Sequence, residues 1–306
     1  MSADGFVIRA PASTANLGPG FDCAAAALDL WNELHVLPAA DGEPLVTLEG
    51  LGSGELPTDA SHLALRAFAL VAPLKGHRFH FVNRIPLERG LGSSAATVAA
   101  GITAGLVVAG RDAPLDEVLE LALPLEGHAD NLAAALQGGV CLIWLDGRRH
   151  STRRLAEDLP LAAILVVPGS RVNTSESRSR LPEFIRHEEA TEAAARAALL
   201  GAGIASGDPE LLAAAFHDRL HEPFRAPDAP LLGELREQPV TGQVGVTLSG
   251  SGPTVVVWVE KAKAEAAAAE LEERADGDVL PLAIAARGTH AEHLPTAESQ
   301  PIGAAT

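Results

Sequence analysis

Residues 85–97 read IPLERGLGSSAAT, and small apolar residues continue the chain from there to Val108. This apolar run lacks strand-like alternation and is long enough for a buried helix, which we predict over Ser94 to Val108. Glycines let backbone amides approach a ligand, and a helix N-terminus presents free N–H groups and a positive dipole. The segment therefore predicts an anion cradle suited to a phosphate chain. A plainer alternative stays open here, a loop followed by a core helix that Ser93 or Ser94 caps.

Two other nucleotide-binding motifs do not fit this segment. Gly90, Gly92 and Ala95 match the spacing G-x-G-x-x-A. However, Pro86 prevents a strand from running straight into the glycines, as the dinucleotide fingerprint requires. A Walker A loop needs Gly-Lys-Ser/Thr, and this segment contains no lysine. The phosphate-binding interpretation thus depends on the glycines and on the start of the helix.

Two further segments combine glycines with many polar groups. Residues 11–22 read PASTANLGPGFD and place hydroxyls, the Asn16 amide and the Asp22 carboxylate around a Gly-Pro-Gly bend. Residues 247–254 read TLSGSGPT and lead into a predicted strand. Taken singly, the first segment fits a structural turn as well as a binding site, and the second is more typical of a hairpin turn.

The composition of the 306-residue chain excludes several classes of protein. Lysine plus arginine number 23 against 40 acidic residues, so the net charge of −17 argues against nucleic-acid and anionic-membrane partners. No apolar run reaches the ~18 residues that span a bilayer, and no secretory signal is visible. Two cysteines, Cys23 and Cys141, cannot form a disulfide framework. We therefore expect a soluble cytoplasmic protein. Because lysine is scarce, a mechanism that needs a positive charge would have to use arginine or a metal ion.

The order of predicted strands and helices indicates an α+β protein, not a regular βαβα fold. Short strands predicted at 6–10, 45–48 and 79–82 precede the buried helix. The helix predicted over 210–220 ends beside two histidines spaced i, i+4, at positions 217 and 221. These lack the glutamate and third ligand of a zinc site, so we expect them on a helix surface. We predict one domain over 1–150, a second over 151–288 and a flexible tail over 289–306.

The three glycine-containing segments, in this order and spacing, resemble the conserved boxes of the GHMP small-molecule kinases. Residues 11–22 are similar to the first box of the branch that phosphorylates homoserine, residues 90–96 to the second box, and residues 249–253 to the third. The resemblance implies ATP-dependent phosphorylation of the side-chain hydroxyl of L-homoserine. Two alternatives stay open: a kinase for another small alcohol such as mevalonate, and a non-catalytic relative that binds a ligand.

The resemblance also implies a fold and a nucleotide site. The family's N-terminal domain resembles domain 2 of ribosomal protein S5, and its C-terminal domain is ferredoxin-like. ATP in the family lies on the second box, with its phosphates at the helix N-terminus. The implied nucleotide-binding residues are Pro86, Arg89, Gly90, Leu91, Gly92, Ser93, Ser94, Ala95, Ala96, Gly250, Ser251 and Gly252.

For metal binding and catalysis, the resemblance implies Ser94, Glu120, Asn131 and Arg178. Ser94 and Glu120 would bind Mg²⁺, which prefers hard oxygen ligands and keeps several waters. Asn131 stands where mevalonate-type relatives carry a catalytic aspartate. Because an amide cannot take a proton, we expect Asn131 to position the substrate, without a dedicated carboxylate base.

The family binds the carboxylate of its amino-acid substrate with arginines, whose guanidinium forks match carboxylate geometry. Arg178 and Arg225 stand at the matching positions. His62 departs from the asparagine expected at its position, which leaves the adenosine contacts open. Such kinases are commonly homodimers. The implied substrate-binding residues are Asn16, Asp22, Asp130, Asn131, Thr174, Arg178 and Arg225.

Overall fold

Two long antiparallel strands form the base of the first sheet. The computed structural model describes residues 5–39 and 42–293. Strand β1 (Phe6–Ala15) pairs with β2 (Ala24–Pro38), and their register shifts between Pro11 and Ala12. Such an irregularity accommodates a proline within a strand. The strand predicted over 6–10 therefore continues through Pro11 to Ala15, which carries the first polar segment to the end of the sheet.

Further strands complete this sheet on both sides of the β1–β2 pair. The added strands are β3 (Val46–Gly50), β4 (His77–Asn83), β5 (Val140–Asp146), β6 (Arg149–Ala156) and β11 (His290–His293). Across the sheet the order is β11-β1-β2-β4-β3, while β5 also pairs with β2, and β6 pairs with β5. Strands β3 and β4 run parallel, and the other neighbours run antiparallel.

Helices of the first half pack against this sheet and against one another. They are α1 (Leu63–Ala69), α2 (Ser93–Ala109), α3 (Leu115–Glu126) and α4 (Ala129–Gln137). The small residues of α2 let α1 approach closely, since a Cβ on Gly101 would lie only 2.0 Å from the carbonyl oxygen of Ala64. The predicted buried helix is thus confirmed as α2, and its N-terminus lies at the end of the glycine-rich loop.

The second half forms an antiparallel sheet of the strands β7 (Leu161–Val167), β8 (Gln243–Leu248), β9 (Val255–Glu260) and β10 (Asp278–Leu282). Their order across the sheet is β10-β7-β9-β8. Its helices are α5 (Thr174–Ser179), α6 (His187–Ser206), α7 (Pro209–Ala215), α8 (Glu222–Arg225), α9 (Pro230–Glu237) and α10 (Ala264–Arg274). No helix in the two described ranges is long and apolar enough to cross a membrane.

The alternation of side chains along β7 and β9 gives each face of the second sheet its own core. Leu165 and Trp258 belong to a large core that also contains residues of the first sheet. Ile164 and Val257 belong to a second core, with residues of α9 and α10. The first core joins the two sheets, so the loops at their edges are held in fixed positions.

The two sheets and their helices confirm the α+β prediction. Residues 149–156 pair with β5 in the first sheet, so the predicted domain boundary at 150 falls within this hairpin. Residues 290–293 of the predicted tail form β11 against β1, and residues 294–306 lie outside the described residues. The division into domains 1–150 and 151–288 stays a prediction.

Candidate active site

A cleft of about 470 Å³ lies where the three glycine-rich segments meet. Ala95, Ala96, Gly252 and Glu120 are not among its lining residues. The structure thus brings most of the predicted site residues to one place. Those lining the cleft are Asn16, Asp22, Pro86, Arg89, Gly90, Leu91, Gly92, Ser93, Ser94, Asp130, Asn131, Thr174, Arg178, Arg225, Gly250 and Ser251.

Hydrogen bonds tie the three segments together at this cleft. Ser249 Oγ lies 2.9 Å from Thr14 Oγ1 and 2.7 Å from the carbonyl oxygen of Gly90. One hydroxyl of the third segment therefore contacts both of the others. In addition, the amide of Ser13 donates to the carbonyl oxygen of Leu91 at 3.0 Å. The three segments, which are far apart in the sequence, therefore form one connected floor of the cleft.

The second segment has the geometry of an anion cradle. Gly92 is the N-cap of α2 with φ 64°, and no described side chain caps the helix. The alternative of a serine cap is therefore wrong, and amides of the first turn stay available to a ligand. The Ser93 hydroxyl is also buried without a hydrogen-bond partner among the described residues. An anion at the start of α2 would meet unsatisfied donors.

Three predicted nucleotide-binding residues do not line the cleft. Ala95 and Ala96 are fully buried, and the amide of Ala96 is already used, donating to the carbonyl oxygen of Gly92 at 2.9 Å. The amide of Gly252 donates to the carbonyl oxygen of Ser249 at 2.8 Å. These amides are committed to the local fold. Nucleotide contacts by Ala95, Ala96 and Gly252 therefore stay a prediction, and those of Ala96 and Gly252 would not use their amide N–H groups.

Arg89 connects the glycine-rich loop before α2 to the second sheet. Its Nε donates to the carbonyl oxygen of Pro168 at 2.9 Å, and its two Nη atoms donate to those of Leu87 and Gly169 at 2.9 and 2.7 Å. Pro168 and Gly169 directly follow β7. Three of the five donors of this guanidinium are thus used in holding the loop. Arg89 lines the cleft mainly as a structural tie.

The carboxylate beside Ser94 belongs to Glu126 and not to Glu120. Ser94 Oγ donates to Glu126 Oε2 at 2.5 Å, and the Glu126 side chain is only 6% exposed. Glu120 instead accepts a hydrogen bond from the amide of His150 at 2.7 Å, with the His150 ring 3.3 Å away. Six residues are about one and two-thirds turns of a helix, so the two carboxylates leave α3 on different sides. The structure therefore contradicts the pairing of Glu120 with Ser94.

Ser94 and Glu126 fit a magnesium ion by the chemistry of their donors. A hydroxyl and a carboxylate are hard oxygen ligands, and Mg²⁺ usually adds waters and substrate phosphates to one or two carboxylates. No group of three His, Cys, Asp or Glu side chains in the described ranges could hold a metal by itself. A single carboxylate next to a phosphate cradle suits an ion that arrives with a nucleotide.

Asp130 and Asn131, at the start of α4, supply polar groups to the floor of the cleft. Ser13 Oγ donates to Asn131 Oδ1 at 2.8 Å, which fixes the orientation of the amide. Asp130 is 4% exposed, and its Oδ1 accepts a hydrogen bond from the amide of Asn131 at 2.7 Å. Burial raises the pKa of Asp130 to about 6, although this hydrogen bond opposes the shift. The carboxyl is therefore mostly ionised at neutral pH and able to meet an ammonium group.

Two arginines lie over one aromatic ring at the same end of the cleft. The guanidinium carbons of Arg178 and Arg225 lie 5.6 and 5.4 Å from the ring centroid of Phe21. Arg178 also pairs with Asp22. Arg225 is 2% exposed, and its Nε is buried without a partner in the described parts of the chain. A buried, unpaired N–H on a cation is expected to bind an anionic ligand.

His62 lines the cleft at the start of α1. His62 is 1% exposed and caps α1, its Nδ1 accepting a hydrogen bond from the amide of Ala64 at 3.3 Å. Burial lowers the pKa of His62 to about 4, so the ring is neutral and its proton lies on Nε2. Leu56 and Pro57 line the cleft nearby. Glu55 also lines the cleft and pairs with Arg171, so apolar groups, a neutral imidazole and an ion pair are all available to a ligand.

Several functional candidates were missed from the sequence. They are Ser13, Phe21, Glu126 and His221. The prediction for His221 is wrong, because α7 ends at Ala215 and His221 is fully buried. After α7 the chain turns at Asp218, whose carboxylate accepts hydrogen bonds from the amides of residues 220, 221 and 222. The sequence feature that could have identified Glu126 is its position directly before Gly127, the glycine at the C-cap of α3.

Comparisons with known proteins agree with this geometry. Two family models match, "GHMP kinases N terminal domain" over residues 59–139 and "GHMP kinases C terminal" over residues 195–277. The homoserine kinase of Streptomyces avermitilis is 39% identical over 266 residues, 84% of this chain and 87% of the relative. That of Deinococcus radiodurans is 36% identical over 302 residues, 94% and 97% of the two chains. The crystal structure of homoserine kinase from Cytophaga hutchinsonii shares the fold, with a TM-score of 0.83 at 24% identity, covering 95% and 98%.

The two matched domains, with a phosphate cradle at the start of a buried helix, define a GHMP kinase, a class that uses ATP as its phosphate donor. The similarity to curated relatives extends over nearly the whole chain. The chain belongs to the homoserine kinase family. The family resemblance and the GHMP kinase fold inferred from the sequence are thereby confirmed, as is the expectation of an enzyme.

Proposed function

We propose that this kinase transfers the γ-phosphoryl group of ATP to the side-chain hydroxyl of L-homoserine. The observation that carries the proposal is the buried Nε of Arg225, which has no hydrogen-bond partner among residues 5–39 and 42–293 and lies at the charged end of the cleft. A guanidinium edge suits a carboxylate. The acidic groups Asp22 and Asp130 line the same end and suit an ammonium group. An amino acid carries both charges, whereas mevalonate carries no ammonium group.

The phosphates of ATP are proposed to lie on the amides at the start of α2, with the glycines of the loop giving close access. Mg²⁺ bound by Ser94 and Glu126 would neutralise charge on the transferring phosphoryl group. Glu126 lies at the end of α3 and accepts the hydrogen bond from Ser94, which keeps both oxygens beside the cradle. The protein's contribution is to hold these donors in place before the nucleotide binds.

Catalysis is proposed to depend on positioning. Phosphoryl transfer passes through a loose transition state with little covalent chemistry for the protein to perform. Asn131, whose side-chain oxygen accepts a hydrogen bond from Ser13, would orient the substrate hydroxyl, and its amide is not a base. Arg178 lies beside Asp22 and over Phe21, where it can bind the substrate or the transferred group. Alignment and charge neutralisation then supply most of the rate enhancement.

The direct test compares acceptors. ADP release from Mg-ATP would be measured with L-homoserine, L-threonine, L-serine, mevalonate and no acceptor. Selective turnover of homoserine supports the proposal. Turnover of mevalonate alone would keep the phosphate site but contradict the amino-acid pocket. ATP binding without turnover of any acceptor would favour a non-catalytic ligand-binding protein.

Replacing Arg225 by alanine should raise the KM for homoserine by about 10- to 100-fold, because a hydrogen-bonded charge contact is lost. Arg225→Lys should recover little, since an ammonium cannot form the two parallel hydrogen bonds of a guanidinium. Steady-state kinetics in both substrates checks this, and the KM for ATP should stay near its wild-type value. An unchanged KM for homoserine would remove Arg225 from the substrate site.

The raised pKa of Asp130 predicts a pH dependence. Above pH 6 the carboxylate is ionised and pairs with the substrate ammonium, and below pH 6 it is mostly protonated and neutral. We expect kcat/KM for homoserine, which reports groups of the free enzyme, to fall about tenfold per pH unit below this pKa. In the Asp130→Asn variant, kcat/KM for homoserine should no longer show this fall below pH 6. A flat profile from pH 7 to pH 5 would contradict the role of Asp130.

We further propose a cytoplasmic location and a homodimer. The location is supported by the acidic composition and by the use of ATP. The dimer is supported only by what is common among related kinases. Size-exclusion chromatography with light scattering would test the dimer, and fractionation of cells would test the location.

A further inference from the structure

We propose that His221 is a positioning residue that holds Arg225 in the orientation that binds the substrate carboxylate. This inference rests on the proposed function, in which Arg225 binds the carboxylate of homoserine. It assigns a role to a histidine that touches neither the phosphate cradle nor the Ser94–Glu126 pair. Three features support it: the hydrogen bonds of the ring, its burial and its link to the first glycine-rich segment.

The hydrogen-bond partners fix the protonation of His221. Its Nδ1 lies 3.2 Å from Arg225 Nη1, and its Nε2 lies 3.0 Å from the carbonyl oxygen of Gly18. A guanidinium can only donate, so Nδ1 accepts and carries no proton. A carbonyl oxygen can only accept, so Nε2 carries the proton. Both contacts are made together only by the neutral ring with its proton on Nε2.

The surroundings of His221 hold the ring still. The side chain is fully buried, and the ring stacks on Phe21 with centroids 5.2 Å apart and planes inclined by 22°. Asp218 Oδ2 accepts a hydrogen bond from the amide of His221 at 2.7 Å. The same oxygen lies 3.6 Å from Nε2, beyond hydrogen-bond distance. A fixed ring can fix the guanidinium that it contacts.

The contact with His221 determines which edge of Arg225 faces a ligand. Nη1 has two hydrogens, and its two acceptors are His221 Nδ1 and the carbonyl oxygen of Gly250 at 3.1 Å. Nε, which is buried and lacks a partner among the described residues, and Nη2 then form the edge left for a carboxylate. Without His221, Nη1 regains a free hydrogen and the guanidinium can rotate.

His221 also links this edge to the first segment. Gly18 belongs to that segment, and Asn16 Nδ2 donates to the same Gly250 carbonyl oxygen that Arg225 contacts, at 3.0 Å. The loop of the first segment, the ring of His221 and the guanidinium are therefore connected by direct hydrogen bonds. The predicted effect of His221 is on carboxylate recognition, and the phosphate cradle lies outside this network.

Three substitutions separate the two hydrogen bonds of the ring. In His221→Asn the amide oxygen can take the place of Nδ1 and keep the acceptor for Arg225. In His221→Gln the amide nitrogen can take the place of Nε2 and keep the donor to Gly18, and His221→Leu keeps neither. We expect the KM for homoserine to stay within about twofold in the Asn variant and to rise about tenfold in the Gln and Leu variants. The kcat and the KM for ATP should change little in all three.

A carboxylate-free analogue distinguishes positioning from a general loss of structure. 3-Aminopropan-1-ol keeps the hydroxyl and ammonium groups of homoserine, so its inhibition constant against homoserine should be the same in wild type and variants. Equal increases of KM in the three variants, or an inhibition constant that rises with KM, would overturn the proposal. If the Leu variant does not fold, the Asn and Gln pair still decides. Failure of the proposed function is recognised separately, because the wild-type protein would then not phosphorylate homoserine.

Discussion

Replacing Glu126 by glutamine is expected to lower kcat by about 100-fold or more, the size of effect seen when a preorganised electrostatic contact to a transition state is removed. Glutamine keeps the shape of the side chain and can still accept the hydrogen bond of Ser94. It removes the negative charge that would bind Mg²⁺ beside the phosphates. The Glu126 side chain is nearly buried next to the cradle, so solvent cannot readily compensate for the loss of that charge.

The matched control is Glu120→Gln on the same helix. Glu120 is held by His150 outside the cleft, so this variant should keep a wild-type kcat and a wild-type dependence on magnesium concentration. The measurement is kcat at saturating ATP and homoserine over a magnesium titration, for both variants. A large loss in Glu120→Gln with little change in Glu126→Gln would reverse the assignment made from the structure.

This pair also shows what the sequence could and could not predict about the site. Both glutamates lie on one helix, α3, and the sequence places acidic residues at both positions without distinguishing them. Choosing between them requires the rotation of α3 about its axis relative to the start of α2. That rotation is set by packing of α3 residues such as Val118 and Leu119 in a core shared with α2. The rotational orientation of a helix relative to a distant loop depends on tertiary packing, so the local sequence does not determine it.

The same limit applies to the fold. Helix α2 is predicted within a residue at each end, because a long apolar run bounded by glycines is a strong local signal. Strand β2 is missed, although it lies at the centre of the first sheet. Its first residues, Ala24 to Ala27, favour a helix by local propensity. Pairing with β1, β4 and β5 overrides that preference.

Hydrogen bonds between segments are the least predictable feature. The family resemblance indicates that the three glycine-rich segments act together, but not which atoms join them. Ser249 contacts Thr14 and Gly90, and Ser13 contacts Asn131, across long separations in sequence. Ser13 and Ser249 thus look like ordinary turn residues in the sequence and become organising residues in the structure.

Replacing Gly92 by alanine should lower kcat by about 100-fold, since small displacements of catalytic groups have effects of that size. Gly92 has φ 64°, a conformation that L side chains rarely adopt. A Cβ at this position would lie 2.1 Å from Ser13 Oγ and 3.0 Å from Asn131 Oδ1. The new methyl group would displace Ser13 and break its hydrogen bond to the side-chain amide of Asn131. It would also shift the first turn of α2. Phosphate binding and substrate alignment would fail together.

Gly110→Ala separates this effect from backbone strain alone. Gly110 is the C-cap of the same helix, has a similar φ of 59°, and a Cβ there would meet no described atom within 4 Å. Both variants should lose stability from the left-handed alanine, of the order of 1 kcal/mol. Only Gly92→Ala should also lose activity, which thermal unfolding and steady-state kinetics measured on both proteins would show. Comparable kcat values in the two variants would mean that contact between Gly92 and Ser13 does not organise the active site.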